Sequence, residues 1–199
     1  MKDVAMPEKS YRKIELATTA TDANVQALAF ALPAMLVLLV PYVLLWPEQF
    51  SSATIEGLVM VYGGRILFLP FLMMLVFIPG AVVHELLHGL TWAAFCKNGV
   101  RSIKYGIHWK ALSPYCHCEE VLPLKPYILG GVMPGVVMGI LPAVTGIVIG
   151  NPWVFFFGLF FTLAAAGDML VLWMLRHCQP TDLVQDHPDK IGCFVLRKV

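Results

Sequence analysis

The sequence predicts an all-α polytopic membrane protein with four transmembrane helices and a small cytosolic β-hairpin between the second and the third. Apolar residues make up 58% of the 199 residues and charged residues only 14%, against about 45–50% and about 25% in typical soluble domains. Four apolar stretches are each long enough to cross a bilayer, which takes about 20 helical residues. Lipid is therefore the expected solvent for much of the chain.

The four predicted spans cover residues 26–46, 66–96, 126–149 and 152–175. The first begins too late, and is too long, to be the apolar part of a cleavable signal peptide, so we expect it to be retained as a span. The second contains Pro70 and Pro79 and is longer than a bilayer requires, so we expect a bend or an interfacial segment in it. The last two are separated by Gly150 and Asn151 alone, and Pro152 opens the next helix, which predicts an antiparallel helical hairpin.

The positions of the basic residues predict the orientation. With the N-terminus in the cytosol, four spans leave only Arg65 of the 14 Lys and Arg residues on the opposite side, as the positive-inside rule favours. The predicted location is thus the inner cell membrane, with a cytosolic N-terminal tail (1–25), a membrane domain (26–176) and a cytosolic C-terminal tail (177–199).

All five cysteines would face the reducing cytosol, where free thiols are expected. A net charge of +1 gives no indication of a nucleic-acid partner.

The loop between the second and third spans predicts the β-hairpin. From Ile103 to Trp109, apolar side chains alternate with polar or small residues, the period of a half-buried strand. A turn at Ser113-Pro114 leads into a second strand, so that the hairpin covers about residues 103–121 and lies at the membrane surface. A short apolar piece at 193–196 is a further candidate strand.

Two acidic side chains lie inside the predicted spans, Glu85 and Asp168. A charge in hydrocarbon costs at least about 2.5 kcal/mol, so each should face a protein interior or a water-filled cavity. Glu85 belongs to the sequence His84-Glu85-Leu86-Leu87-His88, which has the pattern H-E-x-x-H. Both acids are therefore candidates for a functional role.

On a helix, His84 and His88 are about 40° apart in azimuth and about 6 Å apart along the axis, so both imidazoles can reach one Zn²⁺ ion. Glu85 lies beside them, where it can act as the general base toward water. The alternative is that the three residues are polar packing groups. We favour the metal site because burying three polar side chains at lipid depth without a partner is costly.

A catalytic zinc usually has three protein ligands and one open position. His88 lies nine residues before Lys97, and Asp168 lies eight before Arg176, so both are about 12–14 Å inside the cytosolic boundary. This common depth predicts Asp168 as the third ligand beside His84 and His88. Asp168 could instead hydrogen-bond a histidine without touching the metal.

The run of small residues before Asp168, at 164–167, would let the fourth span approach the second closely. His108, Cys116, His117 and Cys118 compete with Asp168 for the role of third ligand. Cys116-His117-Cys118 is also a candidate for a separate metal site. That pattern is weak without a second matched pair, because adjacent residues of a strand point to opposite faces.

These motifs resemble a known family. Four features carry the resemblance: HELLHG in a membrane span, a following strand-rich loop, a helical hairpin and a Gly-Asp in the last span. In these features the chain is similar to the bacterial zincin peptidase family, once catalogued as a domain of unknown function. The segment from Val184 to Gly192 is similar to that family's C-terminal segment. The resemblance covers about residues 66–196.

More distantly, the chain is similar to the site-2 protease group of intramembrane metalloproteases, in which H-E-x-x-H and an aspartate from a later span hold zinc. This resemblance implies His84, His88 and Asp168 as metal ligands and Glu85 as the general base. The longer Asn-Pro…Asp-Gly context in which that group's aspartate commonly lies is absent here.

The predicted function is zinc-dependent hydrolysis of peptide bonds near the cytosolic membrane face, with a peptide or a membrane protein as substrate. The strand at 103–111 offers an edge on which an extended substrate can add as another strand. Two other functions stay open: a zinc-binding sensor or assembly partner without protease activity, and a small transporter that uses Glu85 and Asp168 as a proton or ion relay. The sequence does not indicate the oligomeric state.

Overall fold

A computed structural model describes residues 10–108, 113–188 and 190–199. The helices in these ranges are α1 (Ala20–Leu45), α2 (Ser52–Tyr62), α3 (Leu69–Ala93), α4 (Leu124–Pro134), α5 (Leu141–Ile149), α6 (Pro152–Ala164) and α7 (Ala166–Met174). The strands are β1 (Tyr11–Thr18), β2 (Ile103–His108), β3 (Ser113–Cys118), β4 (Leu122–Pro123), β5 (Leu183–Asp186) and β6 (Ile191–Lys198). Short 3-10 helices cover Pro47–Phe50, Gly63–Phe68, Gly99–Ser102 and Leu175–His177, and a π-helix, Gly135–Ile140, joins α4 to α5.

The prediction of a mostly helical chain is confirmed, but the all-α class is wrong because the chain also contains a four-stranded sheet. Within the described ranges, three segments are long and apolar enough to cross a membrane: Val25–Leu45, Ser52–Ala93 and Leu124–Ile149. A fourth results if α6 and the helical residues 166–177, bent by 42° relative to each other, form one span. The first helix begins at Ala20 rather than near residue 26, because the side chain of Thr19 caps it by accepting the backbone N–H of Asp22 at 3.2 Å.

The tight connection between α5 and α6 agrees with the predicted antiparallel hairpin. Gly150 ends α5 in the left-handed conformation, with φ 66°, which glycine adopts without steric cost. Asn151 then caps α6 by accepting the backbone N–H of Val154 at 3.1 Å, and Pro152 occupies the first turn. A Cβ atom on Gly146 would collide with the backbone of Phe155, so the two helices approach each other closely.

The chain also forms a four-stranded antiparallel sheet of order β1-β6-β5-β4, which the sequence analysis did not predict. The segments expected to be tails, 1–25 and 177–199, supply three of its strands. The candidate strand at 193–196 is confirmed as part of β6. β1 pairs with β6 along its whole length, from Tyr11 opposite Lys198 to Thr18 opposite Ile191. The sequence did not predict β1 because its stability comes from this distant partner, of which local periodicity carries no signal.

The sheet closes one end of the helical bundle. β1 leads directly into α1, β4 leads directly into α4, and β5 follows the end of α7 after a short turn. The first residues of α1 and α4 and the last residues of α7 must therefore lie at the same end. This arrangement agrees with a topology in which both chain termini are on one side of the helices.

The β-hairpin is confirmed in the described residues, with Ile103 opposite Cys118 and the register continuing to the turn. Residues 109–112, which include part of the predicted first strand, lie outside the described residues. The second strand ends at Cys118 rather than near residue 121. The carboxylate of Glu120 turns back and accepts the backbone N–H groups of Lys97 and Asn98 at 2.8 and 3.0 Å, which fastens the hairpin to the end of α3.

The largest buried core lies where the sheet, the hairpin and the ends of α3 and α4 meet. Its buried apolar members include Trp92, Ile103, Leu122, Tyr127, Val184 and Val195. Cys118 and Cys193 belong to this core. Burial raises the pKa of Cys118 and raises that of Cys193 to about 12, so both thiols are protonated packing groups at neutral pH.

We predict that the sheet depends on one buried carboxylate, Asp182, in a pH-dependent way. Asp182 is only 1% exposed, and it accepts Arg197 Nη2 at 2.7 Å and the backbone N–H of Gln179 at 2.8 Å. Because the hydrogen bond from Arg197 lowers the pKa of Asp182, the ionised carboxylate stabilises the folded state above its unfolded pKa of about 3.9. That stability is lost as the pH falls through the lower, folded value.

Asp182→Asn should therefore lower the melting temperature at pH 7. The difference in melting temperature between the variant and the wild type should shrink as the pH falls below 4. Glu119→Gln is the matched control, because Glu119 forms only an exposed pair with Lys104 at 3.8 Å. A difference between Asp182→Asn and the wild type that is constant from pH 7 to pH 3 would contradict this account.

Candidate metal centre

Helix α3 turns His84 and His88 toward the protein interior. The two side chains are buried, at 6% and 5% exposure, whereas Val83, Leu86 and Leu90 on the outer face are 45%, 39% and 56% exposed. This alternation follows from 3.6 residues per helical turn, which places residues i and i+4 on one face. The two imidazole rings are 5.0 Å apart between centroids.

Asp168 reaches the two histidines from the first turn of α7. The chain bends by 42° between α6 and the following helix, and Asp168 lies just after this bend. Its Oδ2 is 3.1 Å from His84 Nε2, and its Oδ1 is 3.3 Å from His88 Nε2. In the part of the chain that the structure describes, these residues form the one group of three His, Cys, Asp or Glu side chains whose ligand atoms all lie within 4.8 Å of one another.

The distances and the donor set of this group fit a zinc ion. Zinc bonds of about 2.0–2.2 Å in a tetrahedron place neighbouring ligand atoms about 3.3–3.6 Å apart, and one ligand atom from each of the three residues lies within 4.8 Å of the other two. Two imidazoles with one carboxylate are also the protein ligands of several catalytic zinc sites, in which the fourth position stays open.

The orientation of His88 is fixed by helix α4. His88 Nδ1 donates to the carbonyl oxygen of Gly130 at 2.8 Å, which leaves Nε2 free to face Asp168. The His88 ring also stacks on Trp92, with centroids 5.3 Å apart and an interplanar angle of 20°. Trp92 Nε1 in turn donates to the carbonyl oxygen of Tyr127 at 3.0 Å. A backbone carbonyl on the second nitrogen of a histidine is the usual way in which a metal-binding ring is held in position.

His84 is held by packing. Its ring lies 6.4 Å from that of Phe161 in α6, at an interplanar angle of 25°. Gly80 makes room for Phe161, because a Cβ atom there would collide with the phenyl ring. His84 Nδ1 is buried and has no hydrogen-bond partner among the described residues. The ring thus has one nitrogen directed to Asp168 and one without a partner.

Glu85 is half-buried and lies between the histidines and a groove of about 400 Å³. The groove is lined by Val82, Glu85 and Leu86 of α3 and by Tyr105, Gly106, Ile107, Pro114 and Tyr115 of the hairpin. The backbone N–H of Cys116 in β3 interacts with the Glu85 carboxylate. Glu85 therefore faces both the candidate metal ligands and a space open to another molecule.

The run of small residues at 164–167 packs differently from the expectation. Ala166 packs against Ala27 of α1, so the run brings α7 close to the first helix. Contact with α3 is made instead by the ring of Phe161, which packs on Gly80 one helical turn earlier. The bend after α6 then directs Asp168 back toward the histidines.

Among the described residues, no other candidate for the third ligand joins the group of His84, His88 and Asp168. Cys116, His117 and Cys118 are in β3, and His117 Nδ1 lies 3.7 Å from Asp186 Oδ2. Within the described residues, they do not form a metal-binding group of their own. The side chain of His108 lies outside the described residues.

Asp186 is a functional candidate that the sequence analysis missed. It accepts the backbone N–H of Cys118 at 2.7 Å and the hydroxyl of Tyr127 at 2.5 Å, so it joins β5 to the hairpin and to α4. Since Tyr127 stacks on Trp92 and Trp92 on His88, a continuous series of contacts leads from the sheet to the candidate metal site. Only its burial in the fold, with the side chain 11% exposed, distinguishes Asp186 from the neighbouring polar residues.

We predict that Gly130→Ala weakens zinc binding about 10- to 100-fold, as expected for the loss of a hydrogen bond that orients a ligand. A Cβ atom at this position would collide with the Trp92 indole and displace the carbonyl that fixes His88. Gly131→Ala is the matched control, because its Cβ would meet first the flexible end of Leu172, at 3.3 Å. Competition with a chelator measures the affinity, and equal affinities in the two variants would contradict the role of Gly130.

The comparison with known proteins agrees with this geometry. Residues 77–183 match the model of a protein family described as "Putative zincin peptidase". The matched region begins within α3, ahead of His84, and ends at the start of β5, so it contains all the residues of the candidate centre. No curated protein and no solved structure matches the chain significantly. Since the match covers more than half of the chain, the chain belongs to this zincin peptidase family.

Proposed function

We propose that the protein is a membrane-embedded zinc peptidase that hydrolyses peptide bonds near the cytosolic face of the inner membrane. The observation that carries this proposal is the convergence of His84, His88 and Asp168 next to Glu85, which borders an open groove. Membership of the zincin peptidase family supports the same activity. A purely structural zinc site would have no need of a carboxylate facing open space beside the ligands.

In this proposal His84, His88 and Asp168 hold the zinc ion, which supplies Lewis-acid chemistry when bound by acidifying water and polarising a carbonyl oxygen. Glu85 accepts a proton from the water that attacks the peptide carbonyl carbon. As the C–N bond breaks, Glu85 delivers this proton to the leaving amine nitrogen, so the carboxylate is regenerated at the end of the reaction. Gly130 and Trp92 keep the ring of His88 in place while this happens.

The groove between α3 and the hairpin is the proposed binding site for the substrate. Its walls are mostly apolar, with Ile107 and Tyr105 of β2 being 48% and 46% exposed. β2 pairs with β3 on one edge, and in the described residues no strand pairs with its other edge. We propose that an extended apolar segment of a peptide or membrane protein adds to this edge and brings its scissile bond to Glu85.

The membrane setting accounts for the outer surface of the helices. Large apolar residues are exposed along every candidate span, among them Leu36, Val37, Leu75, Ile78 and Val148. Such a surface suits a hydrocarbon environment and would promote aggregation in water. The distribution of basic residues supports the proposed placement of both termini in the cytosol.

We predict one zinc ion per purified wild-type chain and its loss in His84→Ala and Asp168→Ala, because a three-ligand site does not keep zinc tightly when one ligand is removed. His177→Ala is the control, since His177 is exposed and does not belong to the group of candidate ligands. Elemental analysis measures the zinc. Full retention of zinc in Asp168→Ala would remove this residue from the ligand set.

We predict that Glu85→Gln abolishes peptide hydrolysis but leaves the zinc content unchanged. The amide keeps the size and polarity of the side chain but cannot accept the proton from water, which contributes about 10²- to 10⁴-fold to the rate. The test measures the rate at which the variant and the wild type cleave casein or a model membrane protein, together with the zinc content of each. Wild-type turnover in the variant would exclude Glu85 as the general base, and the absence of activity in the zinc-loaded wild type would favour the non-proteolytic alternative.

We predict that Ile107→Asp raises KM for an apolar peptide while the zinc content stays the same, because a charge in the groove disfavours an apolar segment. Val100→Asp introduces the same charge at a residue that is 66% exposed and does not line the groove. If the two variants behave alike in steady-state kinetics, the groove does not bind the substrate.

A further inference from the structure

A second cavity, of about 410 Å³, lies between the four-stranded sheet and the end of the last helix. Ile14 and Leu16 of β1, Val195 of β6 and Met174 of α7 form its apolar walls. Ile14 is paired with Val195 in the sheet, and Leu16 lies two residues further along β1, so all three strand residues point to the same face. This cavity is separate from the groove at Glu85 and shares none of its lining residues.

Basic side chains from two elements border the same cavity. Arg176 and His177 come from the 3-10 helix after α7, and Arg197 comes from β6. Arg197 is already neutralised by the carboxylate of Asp182. Arg176 donates to the carbonyl oxygen of Trp173 at 2.9 Å and lies 4.4 Å from the centroid of its ring, but it forms no ion pair among the described residues. The cavity therefore has a cationic rim with one charge available to an anion.

The cavity lies where the last apolar helix gives way to polar chain. Trp173, at 51% exposure, contacts the ring of Phe30 in α1 at 5.5 Å between centroids, and polar residues begin at Arg176. Trp and Arg at the end of a span are the residues that occupy the interface between a membrane and water. The opening is thus at the depth of the lipid headgroups if the helices are embedded as proposed.

We propose that this cavity binds one anionic phospholipid. The lipid phosphate accepts hydrogen bonds from the Arg176 guanidinium and from His177, while the glycerol and the first methylenes of an acyl chain pack on Ile14, Leu16 and Met174. A zwitterionic lipid fits less well because its own cation lies close to the basic rim. The inference rests on the membrane embedding of the proposed function but not on zinc or on peptide hydrolysis.

A lipid in this position touches both the sheet and α7, so it should stabilise the attachment of the sheet to the helices. Binding to the folded state alone raises the melting temperature with ligand concentration. The site would thereby make the stability of the sheet end depend on the anionic lipid content of the membrane.

The test uses the full chain purified in dodecyl maltoside, with phosphatidylglycerol or phosphatidylcholine of identical acyl chains added in a titration. Native mass spectrometry counts the bound lipids, and the melting temperature is measured in parallel. We expect the wild type to retain one phosphatidylglycerol in preference to phosphatidylcholine and to melt at a higher temperature with it. Arg176→Gln should bind phosphatidylglycerol about fivefold more weakly, with phosphatidylcholine unaffected, and Arg176→Lys should keep most of the preference.

Arg101→Gln is the matched control, because it removes the same charge from the exposed end of the 3-10 helix Gly99–Ser102, away from the cavity. Equal retention of the two lipids by the wild type, or an equal loss in Arg101→Gln and Arg176→Gln, would overturn the proposal. If glycerol phosphate raised the melting temperature as much as phosphatidylglycerol does, the proposal would also be overturned, since the ligand would then be a free phosphate. A failure of membrane embedding is distinguishable, because the protein would then be recovered in the soluble fraction without detergent.

Discussion

The contact between the carboxylate of Asp168 and the imidazoles of His84 and His88 organises the helices around the candidate metal centre. It joins α3 to α7 through polar atoms at a depth where both helices are otherwise apolar, with distances of 3.1 and 3.3 Å. Polar groups buried among apolar side chains are costly unless each finds a partner. A metal ion that binds all three would satisfy them together, which explains why they are gathered at one point.

Several features of the fold serve this contact. The bend after α6 directs Asp168 inward, and Gly80 lets Phe161 support the ring of His84. On the other side, Gly130 and the stacked ring of Trp92 orient His88. The hairpin packs on α3 at Gly89 and forms with Glu85 the groove that we propose as the substrate site. The candidate centre is thus held from α4 and α6, and Glu85 connects it to the groove beside the hairpin.

The sequence predicted those parts of the molecule that depend on local patterns. Long apolar runs locate the spans, the four-residue spacing brings His84 and His88 to one face, and equal depth relative to the basic boundary points to Asp168.

Pairings between distant segments have no such pattern. β1 and β6 lie at opposite ends of the chain, and the alternation of apolar and polar residues in β1 is too short to predict a strand without knowledge of its partner. The acceptor for His88 is a backbone carbonyl, which any residue offers, so only the fold identifies Gly130. Asp186 was one polar residue among several, and its importance follows from its burial between the hairpin and α4.

X-ray absorption spectroscopy at the zinc edge of the purified wild-type protein reports the ligand atoms of the metal themselves. We expect only nitrogen and oxygen ligands at about 2.0–2.2 Å, with the multiple-scattering pattern of two imidazoles. A sulfur shell at about 2.3 Å would contradict it, since zinc would then be bound by cysteines and the convergence of His84, His88 and Asp168 would need another explanation.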